Sequence, residues 1–116
     1  MSGGKGGLVL PYFIMYIFIN NIKWNIKYVS EYDNNLFRNN GTLTIGMTDN
    51  KTKTIYLNEN LEGELLTKVL THELCHAFIF SYNIYLTLHE EEFVCEFVSN
   101  FCKNILICSD YILNGQ

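Results

Sequence analysis

The chain has 116 residues, 48% of them hydrophobic and 15% aromatic, with a formal net charge of -4 and a pI near 5.2. That length suits one core without a separate regulatory module, and the apolar content is too high for a disordered chain. The 8 Lys and Arg residues are scattered rather than clustered, so nucleic acid is not an expected partner.

The opening Met1-Ser2-Gly3-Gly4-Lys5-Gly6-Gly7 reads as a flexible leader or tag, which leaves residues 8–116 as a single domain. Leu8 to Ile19 is an apolar run of 12 residues interrupted by Pro11, too short to span about 30 Å of hydrocarbon. No small-residue cleavage site follows it, so a signal peptide is the weaker reading.

Tyr12 to Ile19 is rich in β-branched and aromatic residues, Asn20-Asn21 offers a two-residue turn, and Ile22 to Tyr28 alternates apolar with polar. This predicts a hairpin, with an amphipathic helix over 11–22 as the competing reading. Residues 30–41 predict a loop anchored by Leu36-Phe37. A second hairpin is expected from Thr42 to Met47 and Thr54 to Leu57, turning at Thr48-Asp49-Asn50-Lys51. The sheet would then have about four strands.

From Leu61 the period changes to three and four, through Leu65, Val69, His72, His76 and Phe80. A helix to about Tyr82 is predicted, with Asn58 or Asn60 as N-cap and Glu62 and Glu64 in its first turn. A second helix is predicted from about Thr87 to Leu113, with an apolar stripe of Val94, Val98, Phe101, Ile105, Cys108 and Ile112. The cysteines, Cys75, Cys95, Cys102 and Cys108, lack CxxC spacing and fall in these helices, the distribution of reduced core thiols. A cytoplasmic setting is therefore expected. The fold class that follows is α+β, a small and mainly antiparallel sheet packed on two helices.

His72-Glu73-Leu74-Cys75-His76 is an H-E-x-x-H sequence inside the predicted helix, where that motif has to be. Residues four apart on a helix lie one above the other, so the two imidazoles can chelate one Zn²⁺. Glu73 is turned about a quarter of a revolution away, beside the metal, where it can take a proton from a zinc-bound water. Chance produces such a pattern about once in two hundred shuffled chains of this composition, and the plain alternative is two helix histidines with no metal.

A catalytic zinc generally needs a third protein ligand. The second helix opens with His89-Glu90-Glu91-Glu92-Phe93-Val94-Cys95-Glu96, where Glu92 and Glu96 share a face. The competing reading is an acidic first turn favoured by the helix dipole, which suits Glu90 and Glu91. It suits Glu96 less, because Cys95 and Phe97 flank it in an apolar stretch.

HELCH followed by Glu92-Phe93-Val94-Cys95-Glu96 resembles the gluzincins, the thermolysin-like metallopeptidases. The resemblance implies Glu92 as third zinc ligand, one Zn²⁺ per chain, and Glu96 in the place of that family's Asp, accepting a hydrogen bond from the non-ligating nitrogen of His72. The same residues are similar to the compact ImmA/IrrE-type peptidases and related phage or mobile-element proteins. The metzincin branch is excluded, since it needs a glycine at position 79 and a histidine at position 82, where this chain has Ile79 and Tyr82. The link of 15 residues between His76 and Glu92 is shorter than in thermolysin, and no counterpart of thermolysin's large C-terminal subdomain is found. Tyr82, Tyr85, His89 and Tyr111 are the candidate oxyanion stabilisers, each also readable as packing or surface. Should Glu92 not bind the metal, Glu91 and His89 are next in line.

The expected activity is zinc-dependent hydrolysis of peptide bonds in a peptide or protein substrate, with Thr54 to Asn58 as an edge strand that aligns the substrate. Two other classes stay open. One is a zinc-stabilised regulatory or partner-binding module without proteolysis; the other is a metal-free helical interaction domain.

Overall fold

The structure, a computed structural model, describes residues 14–115. The leader at 1–7 and the start of the expected first strand at Tyr12 lie outside the described residues. Four strands are present: β1 (Ile14–Ile19), β2 (Ile22–Val29), β3 (Gly46–Asp49) and β4 (Thr54–Asn58). Two helices follow, α1 (Gly63–Ser81) and α2 (Leu88–Asn114). The architecture is α+β, as the patterning predicts.

The hairpin between β1 and β2 forms because Asn20 and Asn21 both adopt positive φ, 51° and 65°, the backbone that a two-residue turn requires. Asn20 also donates through Nδ2 to the Ser81 carbonyl at 3.0 Å, tying the turn to the end of α1. β3 and β4 pair antiparallel, but the turn falls later than expected and β3 covers Gly46–Asp49 rather than 42–47. Residues 42–45 instead run beside the Leu36 loop, with a Phe37–Leu43 bridge and the Thr44 N–H donating to the Leu36 carbonyl.

The strand order is β1-β2-β4-β3, with β2 and β4 parallel. This overturns one expectation: β4 lies inside the sheet, paired on both sides, so it offers no free edge. The free edge on this side belongs to β3. Leu36 is fully buried, and its short helical turn packs against β3 and β4.

The core lies between the sheet and α1. Trp24, Ile26, Ile55 and Leu57 project from β2 and β4 onto Ala77 and the partly buried Val69, Leu70 and Phe80. Trp24 is wholly sealed, and its indole N–H donates to the Ser81 hydroxyl at 2.7 Å, which satisfies both buried polar groups. α1 ends in an αL cap at Asn83, φ 52°, where the Asn83 and Ile84 N–H groups close back on the Phe80 and Ile79 carbonyls.

The start of α1 differs from expectation. Glu62 is the N-cap, without a side-chain hydrogen bond, and Asn58 instead accepts from the Asn60 N–H in the turn before the helix. α2 begins as predicted: Thr87 and Glu90 form a reciprocal capping box. Its apolar stripe is only half covered. Val94 and Val98 are partly buried against α1, but Phe101, Ile105, Cys108 and Ile112 are exposed. α1 has 19 residues and α2 has 27, so the far end of α2 outruns its neighbour. Cys108 is accordingly not a core thiol.

Candidate metal centre

α1 turns its chemical residues in two directions. His72 and His76, one turn apart, face α2, and their ring centroids are 5.0 Å from each other. Glu73 faces β3 instead. The Thr48 hydroxyl lies 2.7 Å from Glu73 Oε1 and 3.0 Å from its main-chain carbonyl. Gly46 makes this approach possible, because a Cβ there would stand 2.7 Å from Val69 Cγ1 and 3.2 Å from Glu73 Cγ.

α2 brings the carboxylates. Glu92 Oε1 is 3.3 Å from His72 Nε2, and Glu92 Oε2 is 3.3 Å from His76 Nε2. The candidate ligand atoms of His72, His76 and Glu92 all lie within 4.8 Å of one another. Zinc–nitrogen and zinc–oxygen bonds of about 2.0 to 2.1 Å in tetrahedral geometry set the ligand atoms about 3.3 Å apart, the separation of Glu92 from each imidazole, and the cluster is small enough to hold a metal ion. The donor set, two imidazoles and one carboxylate, is one that zinc accepts.

The other ring nitrogens face carboxylates too. His72 Nδ1 is 3.0 Å from Glu96 Oε1, and His76 Nδ1 is 2.5 Å from Glu91 Oε2. With Nδ1–H donating to a carboxylate, each imidazole turns the lone pair of Nε2 toward the common centre. The two outer carboxylates differ in setting: the Glu91 side chain is 12% exposed, that of Glu96 56%. Both values run against the sequence reading, in which Glu91 is solvated and Glu96 sits in a buried stretch. Glu96 lies on the turn that follows Glu92, at the open rim; Glu91 points inward under it.

The His76 ring is further held by its neighbours. Phe80 stacks on it at 6.3 Å and stacks in turn on Trp24 at 6.5 Å, which runs an aromatic column from the sheet to the site. Beneath the seam, Cys95 is buried beside Cys75, and burial pushes both thiols above their ordinary range. Cys75 and Cys95 thus behave as packing groups between the helices.

The candidate oxyanion residues are placed less favourably. Tyr82 caps α1 and stacks on Phe78 at 6.2 Å, while Tyr85 is 94% exposed in the connection between helices. His89 is exposed in the first turn of α2, where it lines an open hollow with Glu92 and Phe93. Tyr111 stands 19 residues beyond Glu92 on the same helix, about 28 Å along its axis, and is not brought to the site.

Thr48 is the residue that sequence reasoning misses, since its stretch reads as a turn. Gly46 carried the one available signal, a glycine within a strand pattern, which marks a close backbone approach. A groove is lined by the 34–40 loop through Asn34 and Arg38, by Met47 and Thr48 of β3, by Lys51 of the following turn and by Phe80, among others.

Among the described residues no helix is long and apolar enough to cross a membrane. No curated protein and no solved structure matches the chain. The model of the SprT-like family matches residues 20–104 of the 116, and the chain belongs to that family.

Proposed function

We propose that this protein is a zinc-dependent peptidase in which His72, His76 and Glu92 hold the metal and Glu73 is the general base. The single observation that carries the reading is the convergence of two imidazoles from α1 and one carboxylate from α2 within 4.8 Å of one another, beside a glutamate anchored to an edge strand. The SprT-like family is related to the zincin metallopeptidases, which supports the zincin level of the resemblance. The finer likeness to gluzincins and to ImmA/IrrE-type or mobile-element peptidases belongs to this proposal, as do a single domain over residues 8–116 and a cytoplasmic setting for its four free thiols.

Zinc, when bound, supplies Lewis-acid chemistry: it lowers the pKa of a coordinated water and polarises a carbonyl. The remaining work belongs to side chains. Thr48 donates to Glu73 Oε1 and fixes the carboxylate, so the other oxygen is the one free to accept a proton. Glu73 then returns that proton to the leaving amine. Glu96 orients His72 through Nδ1. The substrate backbone adds as a strand to β3, whose free edge flanks Glu73, in place of β4.

The test is Glu73→Gln. Zinc content should be unchanged while cleavage of a broad peptide library falls by about 10² to 10⁴-fold, the usual contribution of a positioned base. Zinc retention with no cleavage by either protein would favour a regulatory or partner-binding module instead. Absence of zinc from protein purified without chelators would remove both readings.

A further inference from the structure

Two consecutive residues of α2 take the two nitrogens of one imidazole. Glu91 Oε2 lies 2.5 Å from His76 Nδ1, and Glu92 Oε2 lies 3.3 Å from His76 Nε2. Side chains one residue apart on a helix diverge by about 100°, so Glu91 and Glu92 reach the ring from different sides. His76 itself is buried, and Phe80 covers its face.

The Glu91 side chain is nearly closed off from water, and His76 is its one side-chain partner among the described residues. A carboxylate in that position is costly unless a donor meets it. The donor within reach is Nδ1–H of His76. A proton on Nδ1 leaves Nε2 as a bare lone pair, the form a metal requires.

We propose that Glu91 is the positioning residue for His76, fixing its tautomer and ring orientation so that Nε2 is presented ready for a divalent cation. The inference rests on the metal-site reading above and assigns Glu91 a role outside the ligand set. It also ranks the two outer carboxylates. The sheltered Glu91 governs its histidine more strongly than the solvated Glu96 governs His72, since water competes for the Glu96 hydrogen bond.

The experiment compares wild type, Glu91→Ala, Glu91→Gln and Glu96→Gln by two measurements. One is zinc affinity, from competition with a chromophoric chelator. The other is the tautomer of His76 in metal-free protein, from imidazole nitrogen chemical shifts. Glu91→Ala should weaken zinc about 10 to 100-fold, the usual loss when such a carboxylate is removed, and let Nε2–H appear at His76. Glu91→Gln keeps an acceptor oxygen on a nearly identical shape, so it should retain the Nδ1–H tautomer and lose less affinity than Ala. Glu96→Gln should lose least. If Glu91→Ala fails to fold, the wild-type tautomer still decides, since Nε2–H at His76 there would overturn the assignment. Wild-type zinc binding with an affinity unchanged in both Glu91 variants, or Nε2–H at His76 already in wild type, would overturn this proposal and leave the metal site standing. No zinc binding by wild type would sink the metal reading itself.

Discussion

The sheet side of the molecule and helix α2 are held in very different ways. Between the sheet and α1, Trp24, Ile55, Leu57 and Ala77 are completely buried, and the polar groups among them are paired. Along the 27 residues of α2 only Cys95 is counted as buried, and the helix packs on α1. Yet the proposed third ligand, Glu92, rides on α2. The contrast teaches that fold stability and site assembly draw on separate contacts: the sheet and α1 hold by apolar burial, while α2 docks along a narrow seam that carboxylate–imidazole pairs and a metal would complete.

Trp24→Ala attacks the sheet side and should have the largest effect, a loss of about 3 to 5 kcal/mol in denaturant melts, because it empties a sealed position and orphans the Ser81 hydroxyl. A loss below about 1 kcal/mol would erase the contrast. Chelation attacks the other side. Free zinc at a hundredfold above its dissociation constant stabilises a site by about 2.7 kcal/mol. Its removal should speed amide exchange in α2 by up to about a hundredfold and leave the β2 and β4 amides nearly untouched. Equal acceleration in both would mean that α2 and the sheet open as one unit. Thr48→Val, within the sheet side, cuts the link from β3 to Glu73 and should have the smallest effect on stability, about 1 kcal/mol for one hydrogen bond. Here kcat should fall while zinc affinity holds, since the hydroxyl touches Glu73 and neither histidine.

Local rules made much of this fold legible. The Asn20-Asn21 turn, the HExxH helix and the start of α2 at Thr87 each follow from chemistry within a few residues. The approach of Glu92 to both histidines was legible only through resemblance to a family, since nothing in helical spacing says how two helices face. What stayed hidden depends on distant partners. The parallel pairing of β2 with β4 puts β3 outermost, and alternation within a strand carries no information about its neighbour. Glu91 and Glu96 read alike as carboxylates, and the rotation of α2 against α1 decides which is sheltered. The stripe from Phe101 to Ile112 reads as core because its period is right, but α1 begins too late in the sequence to extend over it.

Gly46 sets the spacing of the wall beside Glu73 by main chain alone, with a hydrogen where other strands present a side chain. A boundary built that way is indifferent to much of the surrounding sequence. Met47 and Asp49 alternate to the opposite face of β3, so exchanging them can redraw the lining of the groove without shifting the glutamate behind it. Met47 and Asp49 thus stand across one short strand from the glutamate proposed as the base, so the two sides can be varied separately.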